Sequence, residues 1–287
     1  MSGATAFGDG TGSGLRIEAT GDALGAEAWG VDLRARLDGD DRRRLLAALD
    51  EHLVVFFRDQ ALDDSGHVRL ARDLGRPLPH PIARLRGERE TVTVVRNDAV
   101  RRPTNAAWHS DLSWLEVPPG LAILRAVQIP PTGGDTVWAD MFAAWDTLPE
   151  GLRERVEGRF AIHDFDRAVG RRLRRLDGRS GHERVRAAFP PARHPIARRH
   201  PRSGRIALFV DEAFTSEIEG VSADESRELL DALGAHVRGG SWKIRHRWRE
   251  GDVVIWDERS TQHFAHADHY PAEREVRRVT LVGEATV

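Results

Sequence analysis

The run Trp108-His109-Ser110-Asp111 sets an imidazole and a carboxylate two residues apart. On an extended strand, side chains at i and i+2 leave from the same face, so His109 and Asp111 can reach one metal ion. A third ligand from a distant strand would complete a set of two histidines and one carboxylate. Such a set caps one face of a ferrous ion and leaves positions open for a co-substrate and dioxygen. The tripeptide alone arises often by chance. His263, His266 and His269 follow the run Trp256-Asp257-Glu258-Arg259, and the local sequence does not choose among them as the distal ligand.

Strands must carry these groups. Apolar or alternating runs predict strands at 54–57, 91–95, 121–127, 206–210, 242–247, 252–256 and 276–282. Short strands with turns at Gly21 and Gly25 fill 15–35. Asp40 can cap a helix bearing Leu45, Leu46, Leu49 and Leu53, and a second helix spans 65–74, ending at Gly75. Ser222 and Glu225 form a capping box before Leu229, Leu230, Leu233 and Val237. Many strands and few helices, without a linker, predict one α+β domain over 15–287, built on an antiparallel barrel or jelly roll. Residues 171–195 are arginine-rich with little periodicity. They read as a surface excursion, and with their approach they form a candidate lid at 165–195.

Composition narrows the class. Charged residues make up 31% and hydrophobic residues 40%, as in a soluble globular enzyme. A net charge of −2 gives no reason to expect nucleic acid or a membrane surface as partner. The run Arg171-Arg172-Leu173-Arg174-Arg175 lacks interleaved aromatics and reads as a solvated face. Cysteine is absent, which excludes disulfides and fits a cytoplasmic location. No apolar stretch approaches the roughly 20 residues that span a bilayer. Residues 1–14 have no basic start and no apolar core, and read as a disordered tail rather than a secretory signal. Gly133-Gly134 lacks the ending of a phosphate loop and reads as a turn. A homo-oligomer is left open.

With these segments taken together, the chain resembles the taurine dioxygenase-like Fe(II)/2-oxoglutarate-dependent dioxygenases. The resemblance covers 15–283 and rests on VVFFRDQ, WHSD, GGDTVW, HPIARRHPRSGRIALFVDEAFT, WDERSTQHFAHAD and REVRRVTLVG, in family order. It implies a double-stranded β-helix (jelly roll). It also implies Fe(II) held by His109, Asp111 and His263, with 2-oxoglutarate and O2 as co-substrates. Thr136 and Arg274 match the family residues that hold the distal carboxylate of 2-oxoglutarate. His80, Asn105, Leu112 (through its backbone N–H), Phe214 and Arg278 match the substrate pocket. Alternation along the last strand agrees, since Arg274, Val276, Arg278 and Thr280 share a face and Arg277 does not.

The substrate implied is a small organic acid, hydroxylated beside its acid group: a sulfonate or alkyl sulfate that then releases sulfite or sulfate and leaves an aldehyde. One departure stands out. Ala83 occupies a position that is tyrosine in the taurine enzymes, and the only tyrosine here is Tyr270. That widens the choice to longer alkyl sulfonates, alkyl sulfates and aryloxy acids. Rival readings are a tailoring hydroxylase, which would release a stable alcohol, and a non-catalytic metal-binding jelly roll, which would not turn over 2-oxoglutarate. Asp111 argues against a halogenase, because it occupies the space a halide needs.

Overall fold

Val54–Phe57 is apolar at every position because its sheet is covered on both faces. Val54 and Phe56 join one cluster, while Val55 and Phe57 join the other. The computed structural model describes residues 14–21, 23–103 and 106–287. The predicted tail therefore lies outside the described residues except for Gly14.

Among the described residues, the main sheet has eight strands. In order, Arg16–Ala19, Ala26–Trp29, Val54–Phe57, Val253–Asp257, Leu121–Gln128, Arg274–Leu281 and Pro77–Leu78 lie side by side, and Thr93–Asn97 also pairs with Arg274–Leu281. Pairing in this sheet is antiparallel except between Ala26–Trp29 and Val54–Phe57. A three-stranded sheet of Lys243–His246, Thr136–Asp140 and Thr261–Ala265 carries part of the site. A second three-stranded sheet and a two-stranded one complete an α+β arrangement.

Helices Gly39–His52 and Asp64–Leu74 cover the outer face of the main sheet. They set Leu45, Leu49, Leu70 and Leu74 against Phe57, Ile123, Ile255 and Val279. The inner face, with Phe56, Val254, Trp256 and Val276, meets Trp138 and the buried Leu229, Leu233 and Val237 of helix Ala223–Gly239. Each such side chain contributes about 1.5–3 kcal/mol when fully buried. Ser222 caps the last helix through the Glu225 N–H, as the capping box predicts. The first helix begins earlier than expected. Asp38 is the cap, accepting from the N–H groups of Asp40 and Asp41, and Asp40 sits in the first turn.

Residues 171–195 are not the irregular excursion that the sequence predicts. A π-helical turn, Asp166–Gly170, leads into helix Arg171–Ala188, interrupted at Gly178 (φ 69°, ψ −175°), and strand Ala192–Pro195 follows. Only a thin apolar stripe, Leu173 and Val185 with Gly181 between them, is buried. The many solvated arginines hide that stripe from a reading by periodicity. Among the described residues, no helix is long and apolar enough to cross a membrane.

Two buried histidines outside the candidate ligand set impose an acid limit on this fold. His67 and His194 are wholly buried, and burial, aided by Arg125 and Arg198 respectively, lowers each to about 4. The unfolded chain protonates them near 6.5, so between pH 6.5 and 4 it binds more protons than the native state. Stability is therefore retained above 6.5 and lost as pH falls through that window, by on the order of 3 kcal/mol per histidine. Thermal unfolding followed between pH 7.5 and 5 should show a smaller fall in Tm for His67→Gln than for the parent. An equal fall would mean that His67 does not titrate with unfolding.

Candidate active site

His109 is not on a strand. It forms a single antiparallel bridge with His263, with His109 N–H donating to the His263 carbonyl (3.1 Å) and His263 N–H to the His109 carbonyl (2.9 Å). That exchange places the two residues directly opposite each other, and their rings lie 4.2 Å apart. His263 itself is held mid-strand opposite Trp138. The sequence predicts an extended run through Asp111, but after His109 the chain turns. Leu112 has a positive φ of 53°, and Ser110 Oγ donates to the Thr261 carbonyl (2.8 Å). Asp111 still reaches the histidines, with His109 Nε2 at 3.6 Å from its Oδ1.

His109, Asp111 and His263 are all buried, and one potential ligand atom from each lies within 4.8 Å of the others. His109 Nδ1 lies 2.8 Å from the Ala107 carbonyl and donates to it, which turns Nε2 toward the cluster. Burial lowers His263 to about 3, so its imidazole is neutral and free to ligate. Burial pushes the Asp111 carboxyl up, but Arg278, His263 and His109 outweigh it and hold it well below the usual range. Asp111 Oδ2 and His263 Nδ1 are buried without hydrogen-bond partners among the described residues. Two imidazoles and a carboxylate, with orphaned buried atoms among them, fit a divalent ion such as Fe(II). His266 is only half-buried, and it packs on Phe264 rather than joining the set.

Arg274 and Arg278 both leave the inner face of their strand, whereas Arg277 leaves the outer face to pair with Asp64 and Glu275. Arg274 is buried, which lowers it to about 10, and has no acidic partner within ion-pair distance among the described residues. Its Nε donates to the Gly134 carbonyl (3.1 Å), and its guanidinium stands 5.9 Å from the Trp248 ring. Trp248 Nε1 donates to Thr136 Oγ1 (3.0 Å), so the Thr136 proton remains available to another acceptor. An arginine buried without an anion is costly, and this corner fits a carboxylate. Gly134 (φ 76°) makes room for it, since a Cβ there would lie 3.0 Å from Arg274 Cδ. His269 is also buried here. The same Cβ would lie 3.3 Å from its Nδ1.

A cavity of about 1100 Å³ opens onto the cluster, lined in part by His80, His109, Asp111, Leu112, Phe214 and Arg278. Arg278 contacts Asp111. Burial and then Arg278 lower His80 to about 4, against the opposing pull of Asp111. Phe214 packs edge-on to His109 at 6.2 Å. The Leu112 N–H makes no hydrogen bond among the described residues. Asn105 lies outside the described residues. Ala83 does not line the cavity; Ile82 and Arg86 of the same short helix, Pro81–Leu85 and its cap, do so.

Sequence reasoning missed Glu258. Its Oε1 accepts from Trp256 Nε1 (2.8 Å) and its Oε2 from the Asp111 N–H (2.9 Å), so it ties the two ligand-bearing segments together. Burial and then the nearby Asp111 raise its carboxyl well above the usual range. Asp211 does similar work behind the pocket wall, accepting from Ser113 Oγ (2.6 Å) and the Phe214 N–H (2.6 Å). An acid in the run after Trp256 was the only visible signal for Glu258.

Residues 16–280 match the family described as Taurine catabolism dioxygenase TauD, TfdA family. An alpha-ketoglutarate-dependent sulfate ester dioxygenase of Pseudomonas putida is 38% identical over 257 residues, covering 88% of this chain and 84% of its own length. An alkylsulfatase of Acinetobacter baylyi is 34% identical, covering 88% and 80%. The crystal structure of a taurine dioxygenase from Burkholderia xenovorans superposes with a TM-score of 0.79 at 31% identity, covering 95% of this chain and 92% of that one. This chain belongs to the TauD/TfdA family and is a dioxygenase dependent on Fe(II) and 2-oxoglutarate, with O2 as its oxidant.

Proposed function

We propose that the protein oxidises small organic sulfate esters or sulfonates, releasing sulfate or sulfite and leaving an aldehyde. The observation that carries this reading is the floor of the cavity, where the Arg278 guanidinium touches Asp111 and His80 stands close by. An anion entering there is held beside the three candidate ligands. The names of the relatives, a sulfate ester dioxygenase and an alkylsulfatase, support the same substrate class.

His109, Asp111 and His263 are the residues that would hold the iron, which together with 2-oxoglutarate and O2 supplies the power to hydroxylate a C–H bond. Arg274 and the free Thr136 proton hold the distal carboxylate of 2-oxoglutarate. Arg278, neutral His80 and the Leu112 N–H hold the acid group of the substrate, with Asn105 assigned to the same pocket by resemblance. Phe214 and the Leu112 side chain keep water away from the reacting carbon. Once a hydroxyl stands on a carbon bearing the sulfate ester oxygen, its proton leaves, a carbonyl forms and the C–O bond to sulfate breaks.

We read the eight-stranded sheet and the sheet of Lys243–His246, Thr136–Asp140 and Thr261–Ala265 as the halves of a jelly roll, 15–287 as one domain, and 165–195 as a lid. An Arg86–Asp177 ion pair (2.6 Å) ties helix Arg171–Ala188 to the cap of the short helix after His80 and supports that role. We place the enzyme in the cytoplasm, acting on a small anion and not on nucleic acid or membrane. Reconstitution with Fe(II) without oxygen, followed by an aerobic substrate panel scored for succinate, sulfite and sulfate, tests the whole reading. Turnover that yields only stable alcohols would overturn it.

Cavity size gives a quantitative expectation. Each methylene buried along an alkyl series should add about 0.8 kcal/mol, or roughly a fourfold lower KM, until the space is filled. Steady-state kinetics from taurine to hexanesulfonate would show it. A KM that is lowest for taurine would mean that the apolar wall does not meet the substrate.

A further inference from the structure

The mouth of the cavity carries a charge pattern of its own. Eight arginines line the cavity against three acids, Glu88, Asp111 and Glu212, although acids outnumber basic residues 45 to 43 in the whole chain. Four of the eight contact acids within the protein: Arg278 with Asp111, Arg96 with Glu273, Arg101 with Asp98 and Arg86 with Asp177. Arg172 and Arg175 do not. Neither side chain makes an ion pair or a hydrogen bond among the described residues. Both stand on helix Arg171–Ala188 beside Leu173 and Leu176, which also line the cavity. Leu173 is buried and Leu176 is 57% exposed, so an apolar band runs outward and ends beside two uncompensated guanidiniums. The cavity, about 1100 Å³, is also far larger than a two-carbon acid requires.

We propose that the preferred substrates carry two acid groups: a sulfate ester or sulfonate at Arg278, an apolar spacer along Leu173 and Leu176, and a distal carboxylate met by Arg172 and Arg175. This deepens the sulfate or sulfonate reading and rests on it. The forked guanidinium suits a carboxylate. Single exposed ion pairs are weak, but two arginines converging on one carboxylate beside an apolar wall add their effects, and their field draws dianions to the mouth. Without such partners, a charged chain end would bind less well than a methyl end, because it would lose water for nothing. The sign of the preference therefore decides the matter.

The test titrates the protein, loaded with Fe(II) and 2-oxoglutarate without oxygen, by calorimetry. The probes are alkyl sulfates over a range of lengths and the same chains ending in a carboxylate. At low salt, the best carboxylate-ended chain should bind about five- to tenfold more tightly than its methyl-ended counterpart, and added salt should shrink the gap. In Arg172→Gln/Arg175→Gln the ratio should fall to about one. Near-ultraviolet circular dichroism would check that this exposed double variant is folded. Tighter binding of methyl-ended chains at every length would overturn the proposal, as would a preference that persists in the folded double variant. Admitting oxygen afterwards reads sulfate release. Selective binding without sulfate release would overturn the sulfate-ester reading while upholding the distal preference.

Discussion

Replacing Asp111 with alanine will weaken Fe(II) binding by at least about a hundredfold and abolish succinate formation coupled to substrate. Loss of a mere supporting partner of a metal ligand typically costs 10- to 100-fold in affinity, and a ligand itself must cost more. Asp111 is the one acid in the cluster, so its loss removes the charge that offsets the ion and leaves only two imidazoles. His109→Ala and His263→Ala should fail in the same way, because the bridge between them sets their rings against each other and neither position has a substitute. His266→Ala should keep its iron, since His266 packs on Phe264 away from the cluster. Anaerobic iron titration, followed by assay for succinate, separates these cases. Equal loss of iron in the His266 variant would show that the distal ligand has been misassigned.

The parts of this site that were legible in the sequence are those governed by short-range rules. Alternation along 274–282 placed Arg274 and Arg278 on one face and Arg277 on the other, and Val276 and Val279 fall in opposite clusters accordingly. The continuous apolar run 54–57 signalled a strand buried on both sides, and the capping box at Ser222 located a helix start. What the sequence hid depends on distant partners. The i, i+2 rule aimed His109 and Asp111 at one point, but the chain reaches that geometry through one bridge to His263 and a left-handed turn at Leu112. Glu258 has no local mark, because its role exists only once Trp256 and the Asp111 backbone close on it. His269 carries no local mark of its place, and the turn at Gly133 and Gly134 folds it against Arg274. Helix Arg171–Ala188 was hidden by composition, since its solvated arginines outnumber the few residues that it buries.

The two inward arginines should separate cleanly in binding experiments. Arg274→Ala will weaken 2-oxoglutarate binding by about 2–5 kcal/mol, the usual cost of truncating one partner of a buried charge pair. Arg274 has no competing acid within ion-pair distance among the described residues, so its charge is committed to whatever carboxylate enters that corner. Thr136→Val should lose less. It removes one neutral donor and strands Trp248 Nε1, about 1–3 kcal/mol in all. Arg278 stands differently, because its guanidinium already contacts Asp111 at the cavity floor. Arg278→Ala should therefore leave 2-oxoglutarate binding within a few-fold of the parent, and should raise the KM for the acid substrate. The absorption band of the anaerobic Fe(II)–2-oxoglutarate complex reports the first effect without turnover, and steady-state kinetics report the second. If both variants shift the band titration equally, the division of labour along this strand is wrong, and one arginine serves both anions.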